Sequence, residues 1–207
     1  MPLLVVTAVA AEADAVRAGS MSDVVRVAVV GVGPAAAAAG TARLLAQSPY
    51  DGVISAGIAG GFPGRAEVGA TVVGRRSIAA DLGAESPEGF LPIDDLGFGS
   101  GVVEADPELV KALTTALPGA VSGDVLSLAT VTGTAATAAR LAASHPAAVA
   151  EAMEGHGVAT AAAQAGVPFA ELRTISNPIG PRDRAAWRLP EALAALTAAA
   201  TALWTVR

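Results

Sequence analysis

The sequence predicts an α/β domain: a central mixed, largely parallel twisted sheet flanked by helices, three layers in all. Short Val- and Ile-rich runs bounded by Gly or Pro alternate with Ala-rich segments of helical length. The first such run, residues 2–9, is apolar but for Thr7, as suits a strand covered on both faces. The 207 residues can bury one sizeable core, and no polar low-complexity linker divides them, so residues 1–207 read as a single domain.

Residues 2–9 form the first strand, and Glu12 lies just past its C-terminal end. Residues 24–30 form the second, broken by Gly31-Val-Gly33. Pro34 then opens a helix over 35–47, because its missing N–H is one that a helix start does not need. Val53-Ile-Ser-Ala-Gly57 is a third strand that runs into a glycine-rich loop, Gly57-Ile-Ala-Gly-Gly61. A fourth lies within 68–78. Residues 81–101 are rich in Gly, Pro and Asp and contain Phe90 and Phe98; this longest irregular segment is of the kind that carries function. A helix over 107–117 stops at Pro118-Gly119. Residues 125–132 form a strand ending on Val131 and Thr132, followed by helices over 135–143 and 149–164, the latter stopped by Gly166. Residues 168–175 make the last strand, then comes a loop over 176–183 and a C-terminal helix from about Leu189.

Composition excludes several classes of function. The net charge is −6, with 13 Lys and Arg against 19 acids, the reverse of a nucleic-acid-binding footprint. The apolar runs fall short of the roughly 18–20 residues of a membrane span. The N-terminus lacks a basic flank and is followed by Glu12 and Asp14, which argues against a secretory leader. No cysteine is present, so neither disulfides nor thiolate metal sites are available, in keeping with a cytoplasmic protein. The two histidines, His145 and His156, lack a paired ligand pattern, so no metal and no cofactor is expected.

Ligands of α/β sheets bind beyond the carboxyl ends of strands, where Glu12, the 57–61 glycines and Asn177 fall. Glu154 differs, because the predicted helix around it is otherwise small and apolar. Spacing alone leaves it either solvated on an outward face or aimed at a ligand hydroxyl. Glu12 is likewise open between a catalytic role and a plain acid near a helix start.

Taken together, these motifs resemble the nucleoside phosphorylase/nucleosidase family, in order and over about 170 residues. Thr7-Ala-Val-Ala-Ala-Glu12 resembles its opening strand and trailing glutamate. Val30-Gly-Val-Gly-Pro-Ala and Ala56-Gly-Ile-Ala-Gly-Gly61 resemble its two glycine motifs. Ala152-Met-Glu154-Gly resembles its Met-Glu motif, and Arg173-Thr-Ile-Ser-Asn177 its Arg-x-Ile-Ser-Asp motif.

The resemblance implies a phosphorylase/hydrolase-like fold acting on a small-molecule purine nucleoside. Glu154 would accept hydrogen bonds from the ribose 2′- and 3′-hydroxyls, placing negative charge near an oxocarbenium-like centre, and Met153 would pack under the sugar. Glu12 would take a proton from the attacking water. Gly57, Ile58, Val131 and Thr132 would line the substrate. Adenine-releasing relatives carry Asp where this chain has Asn177. Asn is a neutral donor suited to N7 and a 6-oxo group, so the expected base is hypoxanthine; the alternative is an Asn that caps the Ser-Asn-Pro turn. The places where family phosphorylases hold phosphate read Ser55 and Ile58, next to the carboxylate of Glu12, so hydrolysis is expected rather than phosphorolysis. Trp187, ten residues past Asn177, would cover the 5′ side of the ribose and suits a bulky group there. Phe90 and Phe98 would complete that pocket, and Arg182 or Arg184 would bind a carboxylate. Ala152 and Ile58 depart from the acid and the Ser that many nucleosidases carry. A homodimer or larger homo-oligomer follows the family habit. The competing readings are an adenine-releasing nucleosidase, a phosphate-dependent phosphorylase and a non-catalytic nucleoside-binding protein on the same scaffold.

Overall fold

Leu3–Thr7 (β1) is buried at every position, and its side chains alternate between two layers. Leu3 and Val5 pack with Ile54, Leu172 and Leu196 on one side of the sheet, while Leu4 and Val6 pack with Leu44, Val158 and Phe169 on the other. Helices therefore cover both faces, which is why a continuous apolar run was required. The computed structural model describes residues 1–19 and 24–204.

Around β1, the elements follow as α1 (Ala10–Gly19), β2 (Val25–Val29), α2 (Pro34–Gln47), β3 (Gly52–Gly61) and β4 (Thr71–Ala79). A hairpin of β5 (Gly83–Ser86) and β6 (Gly89–Pro92), the short α3 (Ile93–Leu96) and β7 (Val102–Glu104) come next. Then follow α4 (Pro107–Ala116), β8 (Val121–Ser127), α5 (Ala135–Ser144), β9 (Ala148–Ala152), α6 (Gly155–Ala165), β10 (Phe169–Pro178) and α7 (Leu189–Ala200). The main sheet runs β10-β4-β8-β9-β3-β1-β2, and β10 also pairs with β3. Five of its strands thus close on themselves, with β1 and β2 extending the sheet and β7 added beside β4. The β1–β2, β1–β3, β3–β10, β4–β8 and β8–β9 ladders are parallel, whereas β3–β9, β4–β10 and β4–β7 are antiparallel, so the sheet is mixed and largely parallel.

Four local expectations change. Residues 57–61 are not a loop but the second half of β3, paired with β10 from Arg173↔Gly57 to Pro178↔Gly61 and with β9 at Gly60 and Gly61. Glycine is needed there for close approach rather than for a turn: a Cβ on Gly60 would stand 2.7 Å from Ile179 Cγ2. The expected 149–164 helix is a strand and a shorter helix, β9 and α6, because pairing with β8 and β3 overrides the helical preference of alanine. Part of the irregular 81–101 segment is a hairpin. Finally, β8 ends at Ser127, which puts Val131 and Thr132 in the following loop, and β10 continues through Asn177.

Candidate active site

Arg173 stands at the centre of a buried polar cluster, with 1% of its surface exposed. It lies on β10, two residues from Glu171, so both side chains leave the same face of the strand. Its Nε donates to Glu171 Oε1 at 3.0 Å, its Nη2 donates to Ser55 Oγ at 2.9 Å, and its Nη1 is 3.9 Å from Glu154 Oε2. Burial alone favours a neutral guanidine, but Glu171, Glu154 and Glu12 outweigh it and hold Arg173 above its ordinary value. Burial pushes the Glu171 carboxyl up, a push that Arg173 opposes and Glu154 reinforces. One cation thus stands among three acids.

Glu12 sits in the first turn of α1, 4% exposed. Oε2 accepts from the N–H groups of Ala8 and Val9 at 3.0 and 3.3 Å, a reach-back that satisfies donors at the helix start. Oε1 accepts from Ile58 N–H at 2.9 Å across the sheet. Gly57 makes this approach possible, since a Cβ there would lie 2.5 Å from Glu12 Oε1 and 2.9 Å from Arg173 Nη1.

Glu154 is not inside a helix. It occupies the position that caps α6, where β9 ends, and there it is 7% exposed. Its Oε1 accepts from Gly33 N–H at 3.0 Å and its Oε2 from Met153 N–H at 3.3 Å. Gly33, at φ 87°, turns that N–H inward, a conformation that favours glycine. Met153 is half-buried beside it. Gly57, Ile58, Met153, Glu154 and Glu12 are thus brought together around Arg173.

A second group borders this one. Asn177, Val131, Thr132, Arg182 and Trp187 line an 80 Å³ cleft together with Gly60 and Glu151. Ser176 Oγ donates to Asn177 Oδ1 at 2.8 Å, and Asn177 Nδ2 donates to the Pro178 carbonyl at 3.0 Å. Arg182 and Arg184 lie over the Trp187 ring at 5.6 and 5.7 Å from its centre. Glu151, 5% exposed, accepts from Thr132 N–H at 2.7 Å and from the Thr132 hydroxyl. Burial raises its carboxyl above the ordinary value, against the two Thr132 bonds.

The aromatic loop residues are placed differently from each other. Phe90, on β6, lines a 620 Å³ recess with Asp81, Arg140, Val131 and Thr132, and so adjoins the cleft. Phe98, 83% exposed, follows α3 and lines neither space. Three polar side chains that sequence reasoning did not place in the site are Glu151, Glu171 and Arg173. The pair Glu171-Leu-Arg173 carried a readable signal: opposite charges at period two in an otherwise apolar strand.

With this geometry in view, the relatives are informative. A family model described as the phosphorylase superfamily matches residues 7–205. The chain is 53% identical to the futalosine hydrolase of Streptomyces coelicolor, over 95% of this chain and 92% of that one. It is 49% identical to the futalosine hydrolase of Acidothermus cellulolyticus, over 97% and 89%. Among solved structures, the 5′-methylthioadenosine/S-adenosylhomocysteine nucleosidase of Neisseria meningitidis superposes with a TM-score of 0.84 at 20% identity, covering 99% and 98% of the two chains. The futalosine hydrolase of Helicobacter pylori does so with a TM-score of 0.84 at 16% identity, covering 99% and 97%. The structural likeness shows the shared fold, and the match over nearly the whole sequence shows that the chain belongs to the phosphorylase superfamily.

Proposed function

We propose that the chain is a nucleosidase that hydrolyses the N-glycosidic bond of futalosine, releasing hypoxanthine, a step of menaquinone biosynthesis. The observation that carries this reading is the meeting of Glu12 and Glu154 at Arg173, in a chain 53% identical to a futalosine hydrolase. In this mechanism Glu154 accepts hydrogen bonds from the ribose hydroxyls above Met153 and stabilises the positive charge that develops as C1′–N9 opens. The bonding pair leaves with the base, and the anion takes up a proton from solvent to give hypoxanthine. Water adds to C1′ and passes its proton to Glu12, whose carboxylate three backbone N–H groups fix in place. Asn177 donates to the departing 6-oxopurine. Gly57, Ile58, Val131 and Thr132 border the substrate, and Trp187, Arg182 and Phe90 face its 5′ group, whereas Phe98, exposed and lining neither space, is left out of this reading.

Charge supports water over phosphate as the nucleophile. The guanidinium nearest the cluster already faces three carboxylates, and an entering phosphate would meet that net negative charge. No helix among the described residues is long and apolar enough to cross a membrane, and we place the enzyme in the cytoplasm as one domain. Leu82, Phe90, Leu91, Phe98 and Val131 are exposed apolar residues, two of which, Phe90 and Val131, line the recess, and they support assembly as a homodimer or larger homo-oligomer.

The test is base release from futalosine, methylthioadenosine, inosine and adenosine, with and without phosphate. Futalosine turnover that is independent of phosphate is expected. Comparable adenine release from methylthioadenosine would sink the choice of base. In the same assay Glu12→Gln should lower kcat by about 10²–10⁴ while leaving substrate affinity nearly intact, and an unchanged rate removes Glu12 from its role.

A further inference from the structure

Two glycines make room for Glu171. A Cβ on Gly155, the first residue of α6, would overlap both oxygens of its carboxyl group, and a Cβ on Gly74 would stand 3.0 Å from the Cβ of Glu171. Gly74 on β4 and Ser55 on β3 are its cross-strand partners, one on each side of β10. Glu171 is therefore enclosed on three sides, and the residue that yields to it, Gly155, is the chain neighbour of Glu154.

Charge balance does not account for an acid in this space. Arg173 already faces Glu12 and Glu154, so its charge is offset without a third carboxylate. Burying a carboxyl group costs free energy, and apolar replacements of buried ionic groups are often neutral or stabilising. What Glu171 contributes instead is direction. Nε and Nη2 are neighbouring donors on one edge of the planar guanidinium, and Glu171 and Ser55 accept from that edge at 3.0 and 2.9 Å. Two bonds along one edge of a rigid plane fix its rotation. Nη1 then projects from the opposite edge. It lies 3.9 Å from Glu154 Oε2, and together with Glu12 Oε1 it borders the space of the methyl group that Gly57 lacks.

We propose that Glu171 is a positioning residue for base release: seated under Gly155, it holds Arg173 by Nε so that Nη1 stands between Glu12 and Glu154 and keeps the two carboxylates at their working separation. Glu171 touches neither the water nor the ribose and acts through Arg173. The assignment rests on the reading of Glu12 and Glu154 as the acids that serve water and ribose.

Steady-state hydrolysis of futalosine by the intact protein tests it, with two variants that separate reach from charge. Glu171→Gln keeps an acceptor at the same reach and removes the charge, whereas Glu171→Asp keeps the charge and withdraws the acceptor by one methylene. A misplacement near 1 Å should lower kcat of Glu171→Asp about 10²-fold, and KM should stay within about threefold because ground-state binding is untouched. Glu171→Gln, with a neutral bond in place of a charge-assisted one, should remain within about tenfold of wild type. Arg173→Lys has no guanidinium edge to hold, so adding Glu171→Asp to it should cost no further activity, while a merely structural acid would cost the same factor in both backgrounds. A Glu171→Asp enzyme with wild-type kcat, a Glu171→Gln enzyme as impaired as Glu171→Asp, or additive losses with Arg173→Lys would each overturn the proposal. Should Glu171→Asp not fold, Ser55→Ala releases the other bond of the same edge and should lower kcat about tenfold at unchanged KM; wild-type kcat there would overturn the held edge. A wild type that spares futalosine yet releases base from methylthioadenosine, inosine or adenosine overturns the substrate alone, and the same variants then test Glu171 on that nucleoside. Release from none of the four overturns both.

Discussion

Arg173 and Glu171 are joined Nε to Oε1 at 3.0 Å, two residues apart on one strand, each with 1% of its surface exposed. Glu154 and Glu12 add their negative charge to the same guanidinium. A buried cation in this position is what allows three acids to share one interior.

Replacing it should therefore cost more than the loss of a single contact. Arg173→Met fills much of the same volume but leaves Glu171, Glu154 and Glu12 uncompensated. Breaking one side of a buried pair costs about 3–5 kcal/mol, so urea denaturation at neutral pH should show a loss of that size. A loss below about 1 kcal/mol would mean that the cluster is hydrated rather than dry.

Glu171 links the same cluster to pH. Burial raises its folded-state carboxyl above the unfolded value of about 4.3, so the native protein keeps this proton longer than the unfolded chain does. The contribution is complete below the unfolded value and is lost as pH rises from there through the raised folded value. Glu171→Gln has no such proton. The stability of wild type minus that of the variant should accordingly fall with rising pH, by at most about 1.4 kcal/mol per pH unit, in paired urea titrations from about pH 4.5 to 8. The raised carboxyl of Glu151 is common to both proteins and cancels. Parallel curves, or a difference that grows with pH, would contradict the assignment.

How much of this was legible in the sequence depended on whether local signals decided the outcome. The apolar run that became β1 and the proline-opened α2 were legible because burial on two faces and a helix start each leave a local mark. The Glu12, Glu154 and Asn177 positions were legible through motif order. The strand over 148–152 was not, since its Ala-rich sequence favours a helix and only the partners β8 and β3 overrule that. The 57–61 glycines read as a loop for the same reason: what makes them a strand is Ile179, Glu12 and Arg173 pressing against their missing side chains. Arg173 and Glu171 were visible as a period-two pair, but their meaning lies in Ser55, 118 positions away, and in Glu154. Glu151 was hidden by the strand error, because a residue placed on a helix has no row of cross-strand neighbours.

Gly57 gives the sharpest separation of site geometry from stability. A methyl group there would meet Glu12 Oε1 at 2.5 Å and Arg173 Nη1 at 2.9 Å, and both are ends of buried side chains held by several bonds. Gly57→Ala must push the Glu12 carboxylate off Ile58 N–H or move Arg173 away from Ser55. Overpacking of this kind costs about 1–3 kcal/mol, so the variant should still fold. A displacement near 1 Å at the water-activating carboxylate should by contrast lower kcat about 10²-fold. Gly119→Ala serves as the comparison, because nothing lies within 4 Å of its Cβ position. Thermal unfolding and futalosine turnover measured on both variants decide the matter: a Gly57→Ala enzyme with wild-type kcat would show that the Glu12–Ile58 contact does not set the rate.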